Sequence, residues 1–128
     1  MTLLMDTHVF LWWVTDQPGV SQTAHDAITN PGNRLLLSAA SGWEIAIKSA
    51  LGRLELPASP SKFVPDQMQQ NDFEVLPVSM YHALEVHALP AHHRDPFDRL
   101  LIAQSRSEGA PLISGDRALA AYDVDVVW

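Results

Sequence analysis

The chain has no cysteine, which rules out a disulfide framework, a thiolate metal site and a thiol nucleophile. Any catalysis must use oxygen or nitrogen groups, and the absence suits a reducing cytoplasm, where we expect the protein to reside. Long apolar runs are also missing. No stretch approaches the roughly 20 residues of a membrane span, and the start Met1-Thr2-Leu3-Leu4-Met5-Asp6 has neither a basic region nor a long apolar core, so neither a membrane partner nor a secretion signal is expected. Basic residues are scarce. Eight Lys and Arg against 15 Asp and Glu give a formal charge of -7, which argues against broad electrostatic attraction to nucleic acid. An enzyme acting on nucleic acid stays open, because a bound metal ion can be the largest local charge in its site. Against these deficits, 47% hydrophobic residues in 128 are enough for one folded domain with a single core.

Short apolar runs alternate with amphipathic stretches. Leu3 to Met5, Arg34 to Leu37, Phe73 to Leu76, Pro111 to Ser114 and Val124 to Val127 read as strands. Helices are expected from about Val9 to Val14, after the cap Ser21 to Ile28, from Ser41 to Leu51, from Asp66 to Asn71 and from Ser79 toward His87. Asp95-Pro96 is a strong helix start, with Asp95 as cap and Pro96 first, running to Gly109; a further short helix begins at Asp116 and runs to Tyr122. In the Ser41 helix, Trp43, Ile47, Ala50, Leu51 and Leu54 share an expected apolar face. Strands separated by helices imply right-handed crossovers and an α/β fold, with a mainly parallel sheet covered on both faces.

Four acids stand at telling places in this pattern. Asp6 and Asp116 each follow a strand and begin a helix, at the edge where parallel sheets bind ligands. Glu44 and Asp98 lie early in helices of their own. Singly, Asp6 and Asp116 could be caps, Asp98 the third residue of a capping box, and Glu44 the i,i+4 partner of Lys48. Together they sit among apolar neighbours such as Met5, Trp43, Phe97 and Ile113, and clustered, partly buried carboxylates must protonate or gather around a cation. Oxygen ligands without cysteine suit Mg²⁺ or Mn²⁺ better than Zn²⁺.

The strings Asp6-Thr7-His8-Val9-Phe10-Leu11-Trp12, Ser41-Gly42-Trp43-Glu44-Ile45-Ala46-Ile47-Lys48, His93-Arg94-Asp95-Pro96-Phe97-Asp98-Arg99-Leu100-Leu101-Ile102-Ala103-Gln104 and Ser114-Gly115-Asp116 resemble the PIN-domain family, in its VapC toxin branch. The resemblance covers nearly the whole chain. It implies a single PIN-like domain over residues 1–128, three-layered, and a Mg²⁺- or Mn²⁺-dependent endoribonuclease. It implies the toxin half of a bacterial toxin–antitoxin pair, with RNA as substrate, a small antitoxin protein as inhibitor, and a homodimer.

Carried over residue by residue, the acids are Asp6, Glu44, Asp98 and Asp116, and Asp95 is a helix cap. Thr7 and Ser114 are candidates for orienting a ligand carboxylate or water. Lys48, Arg99 and Arg117, nearest the acids in sequence, are candidates for phosphate contacts, with surface ion pairs as the plainer role. The six histidines, His92 and His93 included, read mostly as surface or packing residues; His8, two after Asp6, is the one near the cleft. Trp12, Trp13, Trp43 and Phe10 could stack on bases, with core or dimer packing the plainer role. Apolar residues on several sides of the first helix suggest that helix for a dimer contact.

Two other readings fit parts of the pattern: a metal-dependent phosphoesterase using Asp6 and His8, and a non-catalytic module that only binds a partner protein. The first leaves Glu44 and Asp98 without a role. The toxin reading predicts a short reading frame overlapping or just upstream of the start, which genomic sequence around the gene will show or not.

Overall fold

In the computed structural model, which describes residues 1–128, five apolar runs are strands and the amphipathic stretches between them are helices. In chain order these are β1 (Thr2–Met5), α1 (Thr7–Val14), α2 (Gln22–Thr29), β2 (Arg34–Ser38), α3 (Ala39–Ala50), α4 (Pro60–Gln70), β3 (Phe73–Leu76) and α5 (Met80–Glu85). A 3₁₀ turn (Val86–Ala88), α6 (Pro96–Glu108), β4 (Leu112–Ile113), a second 3₁₀ turn (Arg117–Ala121) and β5 (Val126–Val127) complete the chain. The sheet order is β3-β2-β1-β4-β5, and every neighbouring pair is parallel.

Alternation along β1 builds the three layers. Successive strand residues point to opposite faces, so Leu3 and Met5 join Val9, Phe10, Leu35, Leu37, Ile45 and Phe73 in one core. Leu4, paired with Leu36 and Leu112 on either side, joins Leu101, Ile102, Leu119 and Tyr122 in the other. The first core lies under α1, α2 and α4, the second under α6. A strand buried on both faces reads as a continuous apolar run, and β1 does.

Four expectations need correction. Helix α3 starts two residues early, because Ser38, the last residue of β2, caps it by accepting the Ala40 N–H at 3.0 Å. With no loop between strand and helix, the helix phase is set by the strand. The buried face is therefore Ala40, Ser41, Glu44 and Ile45, while Trp43 and Leu51 are more than half exposed. Helix α4 begins at Pro60, a position that needs no N–H, and holds Pro65 inside it rather than starting after it. The segment after Asp116 is a 3₁₀ turn and not an α-helix. On α1 no apolar residue is left exposed: Leu11, Trp13 and Val14 pack against the first core. A run of exposed apolar residues lies instead at Val75, Val78, Met80, Tyr81 and Leu84.

Helix α6 ends as expected. Gly109 adopts a left-handed conformation with φ 61° and ψ 31°, which turns the chain back toward β4. A Cβ there meets no neighbouring atom, so Gly109→Ala should cost only the backbone strain, about 1 kcal/mol. A urea midpoint unchanged by this substitution would show the turn to be relaxed.

Candidate active site

The chain runs from β1 through β2 to β3 on one side, then returns to place β4 on the other side of β1. Strand order reverses between β1 and β4, and the crevice beyond the carboxyl ends of strands at such a point is where open parallel sheets bind ligands. Asp6 follows β1, and Asp116 follows β4 by three residues. One hydroxyl joins them. Ser114 Oγ donates to Asp6 Oδ2 at 2.6 Å and accepts the Asp116 N–H at 3.1 Å. Between them, a Cβ on Gly115 would lie 2.7 Å from the Trp128 ring, so this connection tolerates only glycine without moving the last residue.

Both strand-end acids also start the turns that follow. Asp6 Oδ1 accepts the His8 N–H at 3.0 Å, and Asp116 Oδ1 accepts the Ala118 N–H at 2.9 Å. Glu44 is brought in by the phase of α3 and is 1% exposed. Its Oε2 accepts from Lys48 Nζ at 2.6 Å, while Oε1 is buried with no hydrogen-bond partner. Thr7 Oγ1 donates to Ser41 Oγ at 2.8 Å, which ties the starts of α1 and α3 together. Asp95 Oδ1 caps α6 through the N–H groups of Phe97 and Asp98. That cap sets Asp98 in the first turn of the helix, on the side of the other acids.

His93 belongs to this cluster, although adjacent histidines in an irregular stretch gave the sequence no periodicity to place it. Its Nε2 lies 3.1 Å from Asp98 Oδ2 and 3.1 Å from Asp116 Oδ2. A signal was present: three residues N-terminal to Pro96, it lies on the loop that enters the helix bearing Asp98. Arg99 has a different place from the one expected. Its guanidinium donates to the carbonyls of Val86, Leu89, Pro90 and His93 and to the Tyr122 hydroxyl, so it clamps the loop that carries His93 instead of facing a phosphate. Arg117 is exposed and has no ion pair, while Lys48 is held by Glu44. Trp43 packs edge-on against Phe97 with centroids 5.4 Å apart, and Trp12 lies between His8 and Trp128. Phe10 is core, and Trp13 Nε1 donates to Asn71 Oδ1.

Acids outnumber cations here, since Lys48 is the one Lys or Arg that pairs with any of the four. Burial, then the charges of Asp95, Asp6 and Glu44, push the Asp98 carboxyl up to about 7, against a smaller opposing effect of His93. Burial also acts to raise Asp6, but hydrogen bonds from His8 and Ser114 outweigh it and hold that carboxyl below its ordinary value. The hydrogen bond to Asp6 raises His8 in turn, and that to Glu44 raises Lys48. One acid is strained toward its neutral form while a neighbour stays ionised. The ligand atoms of His93, Asp98 and Asp116 lie within 4.8 Å of one another, and Asp6 and Glu44 are near enough to act on Asp98 by their charge. Oxygen donors, a buried carboxylate oxygen without a partner and a carboxyl held near neutrality fit a divalent cation at Asp98 and Asp116, with Asp6 and Glu44 beside it.

A parallel α/β sheet with acids gathered at its switch point defines a class of open-sheet proteins with an acidic crevice, and comparison names the family. The PIN domain family profile matches residues 3–125, and the chain belongs to that family. Among curated proteins it is similar to ribonuclease VapC22 of Mycobacterium tuberculosis, 28% identical over 122 residues, 94% of this chain and 92% of that one. It is also similar to ribonuclease VapC16 of the same organism, 46% identical over 55 residues, which span 43% of this chain but only 38% of that protein. Two solved structures share the fold: VapBC2 from Rickettsia felis bound to a promoter DNA fragment (TM-score 0.72, 11% identity, 98% and 97% of the two chains), and VapBC-1 from nontypeable Haemophilus influenzae (TM-score 0.63, 17% identity, 98% and 96%).

The raised Asp98 carboxyl fixes a sign for stability. The folded chain keeps a proton there up to about pH 7, whereas the unfolded chain releases it near pH 4, so stability contributed by this group is lost as pH rises between those values. Allowing for solvent screening of a partly exposed group, the metal-free protein should lose roughly 1–2 kcal/mol from pH 5 to pH 7.5 through Asp98. Asp98→Asn should flatten that slope in metal-free urea titrations, and an equal slope in both proteins would refute the assignment.

Proposed function

We propose that this chain is a VapC-type toxin, a Mg²⁺- or Mn²⁺-dependent endoribonuclease whose metal and catalytic set is Asp6, Glu44, Asp98 and Asp116. The observation that supports the proposal is a set of acids at the switch point with too few basic partners: Asp98 and Asp116 lie within ligating reach of one another, Asp6 and Glu44 act on Asp98 by charge, one buried oxygen is orphaned and one carboxyl is pushed to about 7. PIN-domain ribonucleases generally depend on a divalent metal, and the curated relatives are ribonucleases. A cation bound there supplies Lewis acidity toward a phosphodiester and lowers the pKa of water.

The chain's own residues supply the rest. Ser114 fixes the rotamer of Asp6 and the backbone of Asp116, so two acids keep their relative position. Thr7, through Ser41, couples the helix starts that carry Asp6 and Glu44. Lys48 neutralises one oxygen of Glu44 and leaves the other free. Arg117, exposed and without an ion pair, remains a candidate for contacting a phosphate of RNA; Arg99 is occupied by carbonyls. The net charge of -7 suits a substrate met over a short unpaired stretch, where shape and bases outweigh general charge.

The partner we assign is a small cognate antitoxin, by analogy with the toxin–antitoxin complexes whose toxin fold this chain shares. The exposed apolar residues Val75, Met80, Tyr81 and Leu84 support a homodimer through the β3–α5 edge, in place of α1. The phosphoesterase reading has less support: His8 is the acid cluster's exposed neighbour at 3.6 Å from Asp6, and it would leave the burial of Glu44 unexplained.

Purified protein incubated with a panel of structured RNAs should cleave at least one of them with Mg²⁺ or Mn²⁺ and none in EDTA. Asp98→Asn should slow cleavage at least ~100-fold, beyond what loss of a residue behind the ligands costs. Intact RNA throughout the panel, or an Asp98→Asn protein as fast as wild type, would overturn the proposal.

A further inference from the structure

His93 is half-buried between two of the acids, yet neither its sequence context nor the four-carboxylate reading uses it. Its Nδ1 lies 3.1 Å from the backbone N of Asp95. A backbone N–H can only donate, so Nδ1 must present its lone pair, and the ring proton is thereby assigned to Nε2. That Nε2–H donates to Asp116 Oδ2 at 3.1 Å, and Asp98 Oδ2 lies against the same ring edge, also 3.1 Å from Nε2. An imidazole in this state is a hydrogen-bond donor to carboxylates and has no lone pair on Nε2 for a metal.

The ring is held from behind as well. The His93 N–H donates to the Tyr122 hydroxyl at 2.6 Å, and the His93 carbonyl accepts from the Arg99 guanidinium, which also binds three other carbonyls of the same loop. Tyr122 is 6% exposed and part of the second core. The main chain that carries the donor is therefore anchored to the fold on both sides of the ring. Asp116 spends its other oxygen on the Ala118 N–H, whereas Asp98 Oδ1 accepts no hydrogen bond from the protein, so one of the clamped acids keeps a whole oxygen for a cation.

We propose that His93 is a positioning residue that holds Asp116 by its Nε2–H and seats Asp98 against the same ring edge, keeping the two at a fixed separation so that the cation meets two carboxylates already in place. The inference rests on the reading of the acids as a divalent metal site. Without the clamp the two like charges are free to separate, and each cation-binding event must bring them back. Groups of this kind behind metal ligands typically govern metal affinity by 10- to 100-fold.

The test is the affinity for Mn²⁺ alone, measured by calorimetry on the full chain, for wild type, His93→Ala and His93→Gln. Gln places an amide N–H where the imidazole Nε2–H stands. His93→Ala should weaken binding about tenfold or more, and His93→Gln should recover most of the loss. Pulsed electron paramagnetic resonance of the Mn²⁺-loaded wild type should show no directly coordinated nitrogen. Strong nitrogen coupling would make His93 a ligand and overturn the clamp, and this readout needs no variant to fold. Equal Mn²⁺ affinity in a folded His93→Ala protein would overturn it too. A wild type that binds no Mn²⁺ would refute the metal reading itself, with the clamp, and so separates the two failures.

Discussion

Repulsion among carboxylates crowded at one edge of a parallel sheet is the constraint around which the rest of this molecule is arranged. Burying Asp98 beside Asp95, Asp6 and Glu44 opposes folding of its ionised form: burial first, then those charges, push its carboxyl to about 7. The fold meets it with directed hydrogen bonds and few counter-charges. Ser114 holds Asp6, Lys48 holds one side of Glu44, and His93 stands between Asp98 and Asp116. What is left uncompensated, including a buried Glu44 oxygen, is the basis on which the metal-site reading rests. Function and instability here are the same electrostatic fact.

Such a cluster needs a rigid frame, and the sheet provides it. Strand β1 is buried on both faces and paired on both edges, so the position of Asp6 at its end is determined by Leu3, Leu4 and Met5. Close packing gives such interiors little compliance. Asp116 inherits the same precision through β4, and Asp98 through the cap at Asp95. Arg99 extends the frame into the irregular loop, where no ladder of backbone hydrogen bonds exists, by binding four of its carbonyls.

This division of labour explains which residues could be read before the structure was known. Asp95 and Pro96 announce the start of α6, and Gly109 its end, because caps and left-handed turns depend on local chemistry. Trp43 misled for the opposite reason. Its spacing with Ile47, Ala50 and Leu51 is that of an amphipathic helix, but β2 runs directly into α3 and rotates that face outward, burying Glu44 in its place. Arg99 looked like a phosphate ligand because it adjoins Asp98 in sequence; one position along a helix turns a side chain by about 100°, and it faces the loop.

By itself the sequence determined the order of strands and helices, the parallel sheet, Asp6 and Asp116 at element starts and Asp98 in the first turn of α6, because periodicity, caps and punctuation are written within a few neighbouring residues. Only the tertiary structure decided that Glu44 is buried, that Ser114 bridges Asp6 to Asp116, and that His93 lies between Asp98 and Asp116. Those relations join residues up to 108 positions apart, and they follow from strand order and packing, which no local window contains.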